Sequence, residues 1–195
     1  RMHARRFERW PDLGQAEFLA PEGYTPVYRT NAITRHGEHG NALLSRWPVV
    51  THRHENMSDH RFEQRGLLHA TLTLQERLVH VIVIHLGLLP ASRVRQIQQL
   101  QRYIAHEVPH DVPLLVAGDF NDWGNTVSRM MARVGLHTNV DTPVATYPSR
   151  LPLVQLDHVY ARGVHRVATH VPRGGIWGRM SDHLPLLSEF AWDAP

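Results

Sequence analysis

Apolar residues recur along the chain with two different periods. From Leu67 to Leu74, Leu68, Ala70, Leu72 and Leu74 alternate with Leu67, His69, Thr71 and Thr73, which predicts a strand with one apolar and one mixed face. Leu78 to Leu86 predicts another, with Val79, Val81 and Val83 opposed to His80, Ile82 and Ile84 and an end at His85. From Ser92 the period lengthens. Val94, Ile97, Leu100, Ile104 and Val108 form one stripe with Arg and Gln elsewhere, a helix that Ser92 would cap and Pro109 would close. The run Val112 to Ala117 reads as a buried strand, and Thr126 to Val134 as a shorter helix stopped by Gly135. Short strands are expected at Ala42 to Ser45, ahead of Trp47-Pro48, and late in the chain at Leu156 to Tyr160 and Leu184 to Phe190. Strand, helix and strand followed by late strands predict an α/β fold with two packed sheets.

Composition narrows this picture. At 195 residues, 42% hydrophobic and 20% charged, the chain fits one globular domain over residues 1–195. The longest apolar candidate, Leu78 to Leu89, is interrupted by His80 and His85 and is too short to cross a membrane. The first ten residues lack an apolar leader segment, so a cytoplasmic location is expected. With no cysteine, disulfides and thiolate metal sites are excluded, and a metal would need oxygen or imidazole ligands. The net charge of +3 permits a polyanionic partner without demanding one, and the basic side chains are arginines, whose planar guanidinium suits phosphate. No ligand spacing recurs among His36, His39, His52, His54 and His60, so that stretch reads as a solvated, histidine-rich loop.

Several predicted strand ends carry chemistry. His85 ends one; Asp119 and Asn121 follow another; Asp157 opens Leu156 to Tyr160; Asp182 and His183 precede Leu184. Taken singly, Asp119 reads as a turn, His183 as a satisfied core histidine and Asp157 as a strand cap. Carboxylates in such apolar settings are costly to desolvate unless paired or bound to a metal, and one shared site accounts for all of them at once.

The ordered blocks Gly40-Asn-Ala-Leu-Leu-Ser-Arg46, Arg65-Gly-Leu-Leu-His-Ala70, His85-Leu-Gly87, Ala117-Gly-Asp-Phe-Asn-Asp122, Thr146-Tyr-Pro-Ser149 with Leu156-Asp-His158, and Ser181-Asp-His-Leu-Pro-Leu186 resemble the endonuclease/exonuclease/phosphatase superfamily, which has a deoxyribonuclease I-like fold. Asn31-Ala32, Gly37 to Arg46, Arg65 to His69 and Ala117 to Trp123 more narrowly resemble a bacterial branch often encoded beside a cardiolipin synthase. The resemblance implies a four-layer α/β sandwich, two mixed sheets with helices outside. It also implies Mg²⁺-dependent hydrolysis of a phosphodiester or phosphomonoester, with Mn²⁺ an acceptable substitute. By the same resemblance, His183 is the base that deprotonates water and Asp157 its orienting carboxylate. Asp119 and Asn121 position the nucleophile and the phosphate. His85 resembles the second histidine of the nuclease-like branches, and Asp182 a metal-side carboxylate. Physical chemistry supports the same division, since phosphoryl transfer needs charge compensation on oxygen and a base near neutral pKa.

The sequence departs from the family at its start. Members open with a strand carrying Asn and a second ending in Gln-Glu, whose Glu is the principal metal ligand; Glu8 and Glu17 lack that setting. A strand, helix and strand are therefore expected upstream, about 30 residues by the usual size of such a unit. A chain without them would present open sheet edges for association and would suit a non-catalytic module. For substrate, a nucleic acid would be met by Arg150 and Arg173. A phospholipid head group would be met near Trp123 and near Ile176 and Trp177, the latter two on a mobile loop, Gly174 to Gly178, although Trp177 reads more simply as a packing aromatic.

Overall fold

The computed structural model describes residues 2–4, 14–35, 37–138 and 144–192, so the His36 and Glu8 expectations fall outside the described residues. The chain divides into two compact units, residues 1–85 and 86–195. As expected, the class is α/β.

In the first unit, β1 (Met2–Ala4), β2 (Thr25–Thr34) and β3 (Gly37–Ser45) form an antiparallel sheet in the order β1-β3-β2, beside the short helix α1 (Gln15–Leu19). β3 ends as predicted before Trp47-Pro48, where the Ser45 hydroxyl donates to the Trp47 carbonyl. A second antiparallel ladder joins β4 (Val49–Asn56), β5 (Gly66–Leu74) and β6 (Arg77–His85). Gln75 and Glu76, both at positive φ (48° and 65°), make the two-residue hairpin between β5 and β6. Central in its ladder between β4 and β6, β5 is buried from Gly66 to Leu72, on its mixed face as well as its apolar one.

The histidine-rich stretch is not a loop. His39 lies in β3, and His52 and His54 lie in β4, a strand too polar to be recognised from periodicity. Arg29 Nη2 meets His52 Nδ1 at 3.1 Å, and His54 Nε2 meets Asn31 Oδ1 at 3.0 Å. That pair sits where a Cβ on Gly66 would lie 2.0 Å from Asn31 Oδ1, so the close approach requires glycine. Buried Asn41 donates to the carbonyls of Gly66 (2.7 Å) and Val83 (3.1 Å), tying β3 to the ladder.

In the second unit, α2 (Pro90–Glu107) buries Ile97, Leu100 and Ile104, each contributing roughly 2 kcal/mol by burial of its side chain. Ser92 does not cap this helix. Pro90 occupies its first turn after Leu89, because proline's fixed φ suits a position whose amide has no helical partner. Ser92, Arg93 and Gln96 are buried instead: Gln96 Oε1 accepts from the Gly87 amide at 2.8 Å, and Arg93 donates to the Gly87 and Leu88 carbonyls. β7 (Leu114–Asp119) pairs antiparallel with β8 (Asp157–Arg162), and β9 (Val164–His170) with β10 (Leu187–Trp192). α3 (Thr126–Ala132) is followed by Gly135 at φ 73°, the left-handed stop that its sequence predicted. The last strand starts at Leu187, later than expected, since Pro185 cannot donate to a ladder and the preceding Leu184 amide bonds to Thr146. A four-residue helix, α4 (Trp177–Met180), precedes it. Among the described residues no helix is long and apolar enough to cross a membrane.

Candidate active site

The β7–β8 register places Asp119 directly opposite Asp157. One is the last residue of its strand and the other the first, so antiparallel pairing delivers both carboxylates to the same end of the ladder. The backbone continues the bridge beyond the strands: the Phe120 amide donates to the Leu156 carbonyl at 2.9 Å, and the Leu86 amide to the Asp119 carbonyl at 2.9 Å.

His183 arrives from a distant segment and is held there by a short clamp. The Leu184 amide donates to the Thr146 carbonyl and the Ser149 amide to the Asp182 carbonyl, both at 2.8 Å, while the Ser149 hydroxyl donates to the Ser181 carbonyl at 2.7 Å. The clamp brings His183 Nδ1 to 2.7 Å from Asp157 Oδ2, leaving Nε2 facing Asp119 Oδ2 at 3.9 Å. The Thr146 hydroxyl donates to the same Asp157 Oδ2 at 2.7 Å. With Asp157 accepting from Nδ1, the basic lone pair of a neutral His183 lies on Nε2. Burial alone would lower the His183 pKa, but the Asp157 hydrogen bond and the charges of Asp157, Asp119 and Asp182 outweigh it and raise the value above 6.5.

Asn121 is buried at positive φ (49°), with its amide on Asp119 Oδ1 at 2.9 Å and its Nδ2 on the Leu86 carbonyl at 2.9 Å. An amide nitrogen carries two hydrogens, so one remains for a further acceptor. Asp182 is exposed and takes the Ser181 hydroxyl at 3.2 Å. Arg150 is exposed one residue past Ser149, and His85 is half-buried at the end of β6 in the first unit. The second unit therefore gathers Asp119, Asn121, Asp157 and His183. Among the described residues, Asp119, Asp157 and His183 are the group whose donor atoms, all within 4.8 Å of one another, could hold a metal ion.

Three contributors carried no assigned role in the sequence. Thr146 anchors Asp157. Tyr147 packs its ring 4.9 Å from His183 and 6.0 Å from Trp123. Asp122, buried, accepts from the amides of Thr126, Val127 and Ser128 and so caps α3. Thr146 and Tyr147 lie in the Thr-Tyr-Pro-Ser block, whose place among the ordered motifs was the available signal. Asp122 sits four residues before α3, beyond the usual capping position.

The family model described as the endonuclease/exonuclease/phosphatase family matches residues 5–183. The chain belongs to that family. Family membership makes it a hydrolase-type fold for phosphoesters, with an acidic group available for a metal. A relative, YbhP of Escherichia coli strain K12, is 34% identical over 196 residues, covering 96% of this chain and 77% of that protein. Among solved structures, the mannosyl-6-phosphatase of Bacteroides thetaiotaomicron superposes with TM-score 0.73 at 14% identity, covering 88% of this chain and 78% of that one. TDP2 of D. rerio, solved with a single-strand DNA product, gives TM-score 0.67 at 17% identity, covering 87% and 77%. At these identities the structural likeness shows the shared fold.

Proposed function

We propose that the chain is a metal-dependent phosphoesterase that hydrolyses a phosphodiester, as a nuclease does, through a water activated by the His183–Asp157 pair. The observation that carries this reading is the 2.7 Å contact between His183 Nδ1 and Asp157 Oδ2 with Nε2 turned to Asp119 across 3.9 Å. That spacing is too long for a direct hydrogen bond, so Nε2 is available to a water. His183 takes the water's proton at Nε2, and Asp157 stabilises the imidazolium that forms. Asp119 orients the same water, and the second Nδ2 hydrogen of Asn121 donates to a phosphoryl oxygen. Arg150 is assigned to a phosphate oxygen.

The donor set fits a hard divalent cation, Mg²⁺ or Mn²⁺. Asp157 is committed to His183 and Thr146, so Asp119 is the carboxylate of the Asp119–Asp157–His183 group that would meet it, with Asp182 assigned to the metal side by the family resemblance. When bound, the cation compensates charge on the phosphoryl oxygens. A non-catalytic module has less support, because it would have no use for a half-buried His–Asp pair beside a second carboxylate.

Hydrolysis of bis(p-nitrophenyl) phosphate with Mg²⁺ or Mn²⁺ tests the reading. Turnover should be abolished by chelation and reduced by on the order of a thousandfold or more in His183→Ala. Wild-type turnover no greater than that of His183→Ala would rule out the enzyme.

A further inference from the structure

Around the hydrolytic centre, the second unit exposes a rim of aliphatic side chains. Leu151 is 66% exposed, Leu153 71%, Ile176 63% and Met180 64%. A single exposed aliphatic residue is ordinary, but these four come from two segments that are pinned together at the site. The Ser149 amide and hydroxyl hold the Asp182 and Ser181 carbonyls, and a Cβ on Gly178 would lie 3.8 Å from the Ser149 carbonyl oxygen. Exposed Trp123 joins the same surface through Tyr147, whose ring packs against His183. Trp177 is also exposed and is not a core aromatic.

The charges of this rim are one-sided. Arg150, Arg173 and Arg179 are all exposed, and residues 147–153 and 171–181 contain no Asp or Glu. The exposed acid beside them is Asp182, at the catalytic end.

We propose that this rim seats on an anionic phospholipid surface, so that the phosphoester is presented to His183 at the membrane interface. The inference rests on the phosphoesterase reading and narrows its substrate class. Leu151, Leu153, Ile176 and Met180 enter the acyl boundary, where their exposed area leaves water, while the arginines lie at the depth of the lipid phosphates. A nucleic acid strand is the poorer fit. Strand-binding surfaces use aromatic platforms along a basic track, and the four most exposed apolar side chains of this rim are aliphatic, with neither a π face nor a charge to offer a base.

Vesicle flotation of the full chain tests this, using phosphatidylcholine alone and phosphatidylcholine with roughly one-third phosphatidylglycerol. Wild type should float with the anionic vesicles and weakly with the neutral ones. Leu151→Glu with Leu153→Glu should weaken binding by roughly tenfold or more, and Ile176→Glu with Met180→Glu should do the same from the other segment. Both pairs should keep the wild-type thermal transition, since the replaced side chains are exposed. Arg179→Gln should cost about fivefold on anionic vesicles alone. Failure of wild type to float, or flotation of both Glu pairs like wild type, would overturn the proposal. So would retention on a single-stranded oligonucleotide with steep salt dependence and no vesicle binding. Flotation needs no turnover, so floating protein that leaves bis(p-nitrophenyl) phosphate intact would uphold the docking and sink the hydrolase reading. Turnover without flotation would do the reverse.

Discussion

Asp157 Oδ2 accepts from His183 Nδ1 and from the Thr146 hydroxyl, each at 2.7 Å. One oxygen thus fixes the imidazole's tautomer and is itself fixed by a neighbour 11 residues earlier in the chain. In Asp157→Asn the amide cannot stabilise the imidazolium by charge. We expect kcat on bis(p-nitrophenyl) phosphate to fall by about 10² to 10⁴ with KM little changed. A change confined to KM would contradict the assigned role.

Thr146 acts through Asp157. Thr146→Val should lower kcat by roughly tenfold, as loss of an outer hydrogen bond to a catalytic carboxylate commonly does, and Thr146→Ser should recover most of it. Equal losses in the two variants would point to packing of the threonine methyl group.

The raised pKa of His183 sets opposite trends for activity and stability. A base must be neutral, so kcat/KM should climb with pH through a midpoint above 6.5, and Asp119→Asn should move that midpoint down by removing a negative neighbour. The same ionic contacts contribute folding stability that is fully present below 6.5 and is lost as pH rises through the folded-state value. Imidazole chemical shifts followed by NMR beside thermal melts would check both, and a midpoint below 6.5 would refute the assignment.

A second histidine pair should govern acid stability. His69 Nε2 lies 2.8 Å from His80 Nδ1, both side chains are buried, and burial, then His80 and Arg53, lower the His69 pKa to about 4. Between 6.5 and 4 the unfolded chain takes up a proton that the folded chain refuses, so stability falls as pH drops across that window. The loss is on the order of 3 kcal/mol. Urea unfolding at the two ends of the window should show it, and His69→Leu should flatten it. A wild-type curve without this slope would mean that the pair protonates in the folded state.

The legible parts of the fold were those in which spacing and burial agree. α2 showed through Ile97, Leu100 and Ile104, and β6 through its valines. β4 was hidden because Thr51 to Asn56 is polar and mostly exposed, its side chains contributing hydrogen bonds where a core strand would contribute area. β9 was hidden because its inner face includes Arg166, whose guanidinium lies over the Phe190 ring at 5.0 Å and imitates an apolar contact that hydropathy does not count. Asp119, Asp157 and His183 were readable as costly polar groups at apolar strand ends. Thr146 was not, because a hydroxyl costs little to expose and only the folded clamp shows what it touches.

The clamp of Thr146 and Ser149 on residues 181–184 has a consequence for how such a protein can change. Its bonds run between backbone atoms and one serine hydroxyl, so they constrain chain path while leaving the outward side chains at 150–153 and 174–180 unspecified. Asp157 and His183 thus occupy a fixed foundation, and the exposed side chains among residues 150–153 and 174–180 stand on segments rooted in it. The rim can therefore change residue by residue without disturbing the pairing of His183 with Asp157 beneath it.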